Sequence, residues 1–283
     1  MASFTNFATL SYNGGTTNSN IVTGEILEAL TAVKTAVSAN YSAGDRITYA
    51  LSLVNTGTAA ITDYTVTDNL GGYTVGANTV YPLAYNAGTV RYYINGVLQT
   101  APTVTAGPPL TVTGLTVPAG GSAVLIYETT ATPVAPLATG SSITNTATIT
   151  GGGLTTPITA QATVETATSA DLSISKALSP TTVTENGQIT YTFVISNTGN
   201  TEATATGNVV VTDTFAPILR NIAVTYNGTA WTEGTNYTYN AATGVFTTLA
   251  GQITVPAATF MQNTDGTFTV TPGTATLVIT GTV

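Results

Sequence analysis

Apolar and polar residues alternate along stretch after stretch of this chain, as in Ile143-Thr144-Asn145-Thr146-Ala147-Thr148-Ile149 and Leu172-Ser173-Ile174-Ser175-Lys176. A period of two is the mark of a strand with one buried face. The runs are short and are bounded by Gly, Pro and Asn, which predicts an all-β sandwich. Asn95-Gly96, Asn227-Gly228 and Asp265-Gly266 predict tight hairpins. The stretch 24–37, with Glu25-Ile26-Leu27-Glu28-Ala29-Leu30, reads in isolation as a short helix. Its later counterpart, Asp171-Leu172-Ser173-Ile174-Ser175-Lys176, alternates cleanly, so a strand is expected in both places.

That counterpart exists because the chain repeats itself. Ile47-Thr48-Tyr49 leads into Asn55-Thr56-Gly57, and Ile189-Thr190-Tyr191 leads into Asn197-Thr198-Gly199. Val66-Thr67-Asp68 returns as Val211-Thr212-Asp213, and the run from Val117-Pro118-Ala119-Gly120 to Ile126 returns as Val270-Thr271-Pro272-Gly273 to Ile279. The organisation expected is two tandem immunoglobulin-like β-sandwich domains, 24–165 and 166–283, after an N-terminal strand and connector over 1–23.

The repeats are unequal at one point. The first closes with Ile143-Thr144-Asn145-Thr146-Ala147-Thr148-Ile149, and the second reaches Val283 with no such segment. A close match opens the chain instead, Phe4-Thr5-Asn6-Phe7-Ala8-Thr9-Leu10. The expectation is that this strand completes domain 2 of a neighbouring subunit, with Phe4, Asn6, Ala8 and Leu10 facing inward. Burying that row is worth roughly 5–8 kcal/mol. Strand donation of this kind is heterologous and builds an open filament unless the rotation closes a ring.

Three polar residues per repeat fall in apolar rows. Lys34 alternates with Leu30, Ala32 and Ala36, Asp68 with Val66 and Leu70, and Asn145 with Ile143, Ala147 and Ile149. In the second repeat Lys176 and Asp213 take the same places, and Asn6 supplies the third residue from the donated strand. Lys34 and Lys176 are the only lysines in the chain. Burying such groups apart costs several kcal/mol each, so they are expected to meet. Burial favours a neutral amine and a protonated carboxylic acid. A neutral amine is a nucleophile, and a carboxyl group beside an amide can polarise its carbonyl and move protons. The chemistry that follows is a single-turnover Nζ–Cγ isopeptide bond with loss of ammonia, Lys34 to Asn145 within a subunit and Lys176 to Asn6 between subunits, assisted by Asp68 and Asp213. The competing reading is a hydrogen-bonded polar cluster that fixes register without a covalent bond.

Composition narrows the function classes. Charged residues make up 6% of the chain, the net charge is -8, and Cys and His are absent. Disulfides, thiol nucleophiles, Ser-His triads and the usual zinc sites are thereby excluded, and neither a cofactor nor a metal is expected. The acidic balance argues against nucleic acid as a partner. No apolar run is long enough to span a membrane as a helix. Met1 is followed by small and polar residues, so no signal peptide is read.

The combined pattern, a first strand with Lys, then Ile-x-Tyr, Asn-Thr-Gly, Val-Thr-Asp and Asn-Thr-Ala-Thr, resembles the "domain of unknown function eleven" repeat family of large bacterial and archaeal surface proteins. The resemblance covers nearly the whole chain. It implies immunoglobulin-like sandwiches with a surface or structural role and no enzyme activity on outside substrates. The Lys34–Asp68–Asn145 order is also similar to that of the intramolecular Lys–Asn bonds of Gram-positive surface domains. The function expected is a structural subunit of an extracellular filament on a cell or spore surface, with further copies of itself as partner and a tip or anchor protein left unidentified. Two alternatives stand beside it. One is a monomeric adhesin or carbohydrate-binding module using Tyr92, Tyr93, Trp231, Tyr237 and Tyr239. The other is a surface-layer lattice protein.

Overall fold

A computed structural model of the chain describes residues 2–26 and 29–283, and those residues are strands and turns apart from one 3-10 turn at Ala205–Gly207. The protein is all-β, with antiparallel ladders throughout its sheets. It divides into two compact units, Met1–Ala135 with Ser142–Glu165, and Pro136–Ser141 with Thr166–Val283. The ambiguous stretch after Gly24 is strand, Val22–Ile26 and then Leu30–Ala36; Leu27 and Glu28 lie outside the described residues.

In the first unit two sheets face each other. One runs Val97–Leu98, Arg91–Ile94, Ser122–Ala131, Arg46–Asn55, Leu30–Ala36. The other runs Thr103–Thr105, Leu110–Val117, Ile61–Asp68, Ser142–Gly151, Ile158–Thr166, Asn40–Tyr41. The alternation read in the sequence is what fills the space between them. Ile47, Tyr49, Leu51 and Leu53 are buried from one sheet, and Tyr64, Val66, Ile143, Ala147 and Ile149 from the other. Tyr64 and Tyr92 bring their hydroxyls to 3.5 Å across the gap.

The second unit repeats the first sheet as Leu172–Ser179, Gln188–Asn197, Gly273–Thr282, Arg220–Tyr226, Thr229–Trp231. Its second sheet is short: Thr212–Thr214, Val245–Thr248, Tyr237–Asn240. Phe215, Phe246, Leu219, Leu277 and Ile279 form its core.

The Asn of each Asn-Thr-Gly motif is a buried tie. Asn55 donates to the carbonyls of Ala59 and Pro118 at 2.8 and 3.0 Å and accepts from Gly57 N–H at 2.9 Å. Asn197 does the same with Thr201, Pro256 and Gly199. Asn95-Gly96 and Asn227-Gly228 are two-residue hairpins with both residues at positive φ, the twist that flanking strands require. Asp265-Gly266 differs from expectation. It sits in a five-residue connection between Thr259–Gln262 and Phe268–Thr271, closed by Asn263 N–H to Thr267 O and by the Asp265 carboxylate accepting from Thr267. The carboxylate's local bonds hold this wider turn in place of a type I′ one.

Residues 2–26 form a two-stranded ribbon. Ala2–Asn6 pairs with Val22–Ile26, and Thr9–Tyr12 with Gly15–Asn18. Phe4, Phe7, Leu10, Tyr12, Ile21 and Val22 are all more than half exposed. Phe4, Asn6, Ala8 and Leu10 do not form one unbroken row, because the strand is interrupted at Phe7-Ala8 and the register slips by one residue between Asn6↔Val22 and Thr9↔Asn18. Ser19 fills the interruption, its Oγ accepting from Ala8 N–H at 2.9 Å.

Candidate cross-linking site

In the first unit the Lys34 strand lies at the edge of one sheet, and the Asp68 and Asn145 strands are neighbours in the other. Ladder pairing sets Asp68 opposite Ala147, two residues from Asn145 on the same face. Lys34 reaches across the sandwich to Asp68, with Nζ to Oδ2 at 2.5 Å, and both side chains are sealed from solvent. Tyr127 donates its hydroxyl to the same carboxylate oxygen. The ammonium stands 4.8 Å from the Tyr49 ring centre and 5.9 Å from that of Tyr127, within cation–π range of both.

Burial dominates the electrostatics. It lowers the Lys34 pKa from 10.5 to about 8, even though Asp68 pulls the other way through charge and hydrogen bond. It also pushes the Tyr49 and Tyr127 hydroxyls up, aided by the Asp68 charge, so both stay protonated donors.

Asn145 is fully buried, at 0% exposure. It lies close enough to the two tyrosine hydroxyls to oppose part of the rise in their pKa. Yet neither Oδ1 nor Nδ2 completes a hydrogen bond, and the Tyr49 hydroxyl is also without one. A buried primary amide with no partner for either end costs about 1–3 kcal/mol per group. Asn55 and Asn197, by contrast, have their polar side-chain atoms engaged.

The second unit carries the same pair in a different setting. Lys176 Nζ lies 2.5 Å from Asp213 Oδ2, with Tyr191, Phe193 and Phe215 rings within 4.4–5.6 Å. Here Lys176 is 40% exposed and Asp213 17%. The apolar row expected to be buried beside Lys176 is not: Leu172, Ile174 and Leu178 are 37%, 55% and 38% exposed. The reason is topological. In the first unit the Asp68 strand is flanked on one side by Leu110–Val117 and on the other by Ser142–Gly151. Thr212–Thr214 has only Val245–Thr248, so among the described residues its other edge is bare. Asn6, the third residue named from sequence, is exposed on the ribbon and pairs with Val22.

Sequence reading passed over Tyr127 and gave Tyr49 no role. Alternation in Ser122–Ala131 puts Tyr127 on the core face, but nothing local says that its hydroxyl meets a carboxylate from the opposite sheet. Of the five aromatics named for the adhesin reading, four are engaged in packing or hydrogen bonds. Tyr92 and Tyr237 are buried, Trp231 stacks on Tyr226 at 4.9 Å, and Tyr239 donates to Leu219 O. Their apolar faces are consumed by cross-strand packing. Among the described residues no group of three or more acidic side chains is placed to hold a metal, and no helix is long and apolar enough to cross a membrane.

No family model matches the chain, and no curated protein matches it. Solved structures do. The N-terminal domain of the Streptococcus gordonii adhesin Sgo0707 is 14% identical, covering 47% of this chain and 31% of that one, at a TM-score of 0.35. The pilus backbone RrgB of Streptococcus pneumoniae is 14% identical over 86% of this chain and 55% of that one, at 0.36. The major pilin subunit BcpA of Bacillus cereus is 14% identical over 96% and 73%, at 0.35. The matches named are mostly pilins and adhesins, with a glycoside hydrolase among them. This chain thus spans less than two thirds of the adhesin domain and of RrgB. With TM-scores this low, the functional reading rests on the geometry of the chain itself.

Proposed function

We propose that this chain is the structural subunit of an extracellular filament, joined head to tail when the N-terminal strand of one subunit completes the second unit of its neighbour. One observation carries the reading. The first unit walls its Lys34–Asp68 pair with the Asn145 strand, whereas Lys176–Asp213 has the same 2.5 Å contact and, among the described residues, a bare edge where that strand would lie. The exposed segment Phe4-Thr5-Asn6-Phe7-Ala8-Thr9-Leu10 repeats the Asn145 segment. The place on a cell or spore surface, and membership of the repeat family named from sequence, belong to the same proposal.

The covalent step balances without a co-reactant. The neutral Lys Nζ attacks Asn Cγ, the Cγ–Nδ2 bond breaks, and the carboxyl group passes a proton from the amine to the departing nitrogen, which leaves as ammonia. Desolvation lowers the Lys34 pKa to about 8, so a minor neutral-amine fraction exists near neutral pH and grows as pH rises. In the second unit the donated strand would supply that desolvation together with the amide, so the weld would follow docking.

The test is a boiled denaturing gel of purified wild-type protein, with mass spectrometry of each band. A ladder of multimers, each junction lighter by one ammonia and giving a branched Lys176–Asn6 peptide, is the expected result. A monomer band from samples that show threads under native conditions would leave strand donation and remove the weld. Monomers under both conditions would remove the filament.

A further inference from the structure

We infer that the element exchanged between subunits is the whole N-terminal hairpin, with Val22–Ile26 entering the neighbour as a second added strand beside Ala2–Asn6. This rests on the head-to-tail reading above and adds its second strand.

The inference comes from pairwise correspondence between two hairpins. In the first unit Ser142–Gly151 does not close the sheet alone. It pairs with Ile158–Thr166, whose Ala160, Ala162, Val164 and Thr166 are buried. The ladder reads Ser142↔Glu165, Ile143↔Val164, Thr144↔Thr163, Asn145↔Ala162. The ribbon reads Ser3↔Glu25, Phe4↔Gly24, Thr5↔Thr23, Asn6↔Val22. Two of the four pairs are identical in sequence. A third exchanges Ile–Val for Phe–Gly, and the Phe4 ring occupies the space a side chain at Gly24 would need, 2.4 Å from the Cβ position. That swap shifts bulk across the ladder and keeps the pair filled, as a shared packing site demands. Thr144 and Thr163 join their hydroxyls at 2.9 Å on the outer face, the face that Thr5 and Thr23 take in the ribbon.

Register then assigns faces. Val22 stands opposite Asn6 as Ala162 stands opposite Asn145, so it shares the inward face, and Thr23 takes the outward one. In the isolated ribbon Val22 is 55% exposed, a poor place for an apolar side chain with no other duty. The outer edge has a counterpart too. Glu165 N–H donates to Ala39 O at 2.9 Å. With Lys34 aligned on Lys176, the matching bond runs from Glu25 of one subunit to Thr181 of the next.

Amide exchange of the intact protein, comparing assembled fibres with unassembled subunits, tests this. Protection gained over both 4–12 and 22–26 is the expected result. Protection over 4–12 alone would mean a single donated strand, overturning this inference and leaving the head-to-tail reading intact. Protection over neither would overturn both. Val22→Lys should slow fibre growth at least about tenfold, because it buries a charge at the junction; Thr23→Lys should stay within about twofold of wild type. Growth of Val22→Lys at the wild-type rate would also overturn the inference, and since both sites are exposed in the subunit, neither change threatens its folding.

Discussion

Lys176 lies as close to Asp213 as Lys34 does to Asp68, 2.5 Å in each case, but only the first of these pairs is open to solvent. Identical contacts thus sit in unlike surroundings: one pair is walled by the Asn145 strand, and the other lies beside a strand whose second edge is bare among the described residues.

Asn145 should carry the intramolecular bond. Wild-type protein is expected to be lighter by one ammonia per subunit from this site, and Asn145→Ala to restore the full mass. By analogy with a disulfide closing a long loop, the variant should lose about 4–5 kcal/mol. That is a fall of roughly 10–20 °C in the unfolding midpoint of the first unit. Calorimetry with intact-mass measurement checks both, and an unchanged mass would show the triad to be only a polar cluster.

The pH response of that variant follows from Lys34. Its folded pKa is depressed from 10.5 to about 8 by burial. Between those values the unfolded chain holds a proton that the folded one has lost, so stability from this group is lowest below pH 8 and rises toward 10.5. Asn145→Ala should therefore gain thermal stability from pH 7.5 to 9.5 relative to Lys34→Met/Asn145→Ala. Parallel curves for the two would contradict the assignment.

Lys176→Ala should separate docking from welding. Threads are expected to form, because the ribbon's ladder and apolar contacts remain, and to come apart in hot detergent. Threads that survive boiling would mean another bond holds them.

Asn55→Ala is the counter-case. It strips two backbone carbonyls and one N–H of their buried partner, which should cost about 2–4 kcal/mol while leaving the ammonia loss unchanged. Loss of the cross-link in this variant would mean the motif acts on the chemistry.

The chain alone made its strands legible, because alternation is local and each buried row, from Leu51 and Leu53 to Ile143, Ala147 and Ile149, is written into it. It also brought Lys34, Asp68 and Asn145 under notice, since a polar residue in an apolar row stands out without any knowledge of its neighbours. Tertiary structure alone decided what those residues touch. The Tyr127 hydroxyl on Asp68, the unpartnered amide of Asn145 and the bare edge of Thr212–Thr214 all arise between segments far apart in the chain. Period-two patterning says which face a side chain occupies, but not which strand or sheet comes to meet it. The slip at Phe7-Ala8 was hidden for the same reason, because a bulge is fixed by the partner strand and not by the residues that carry it.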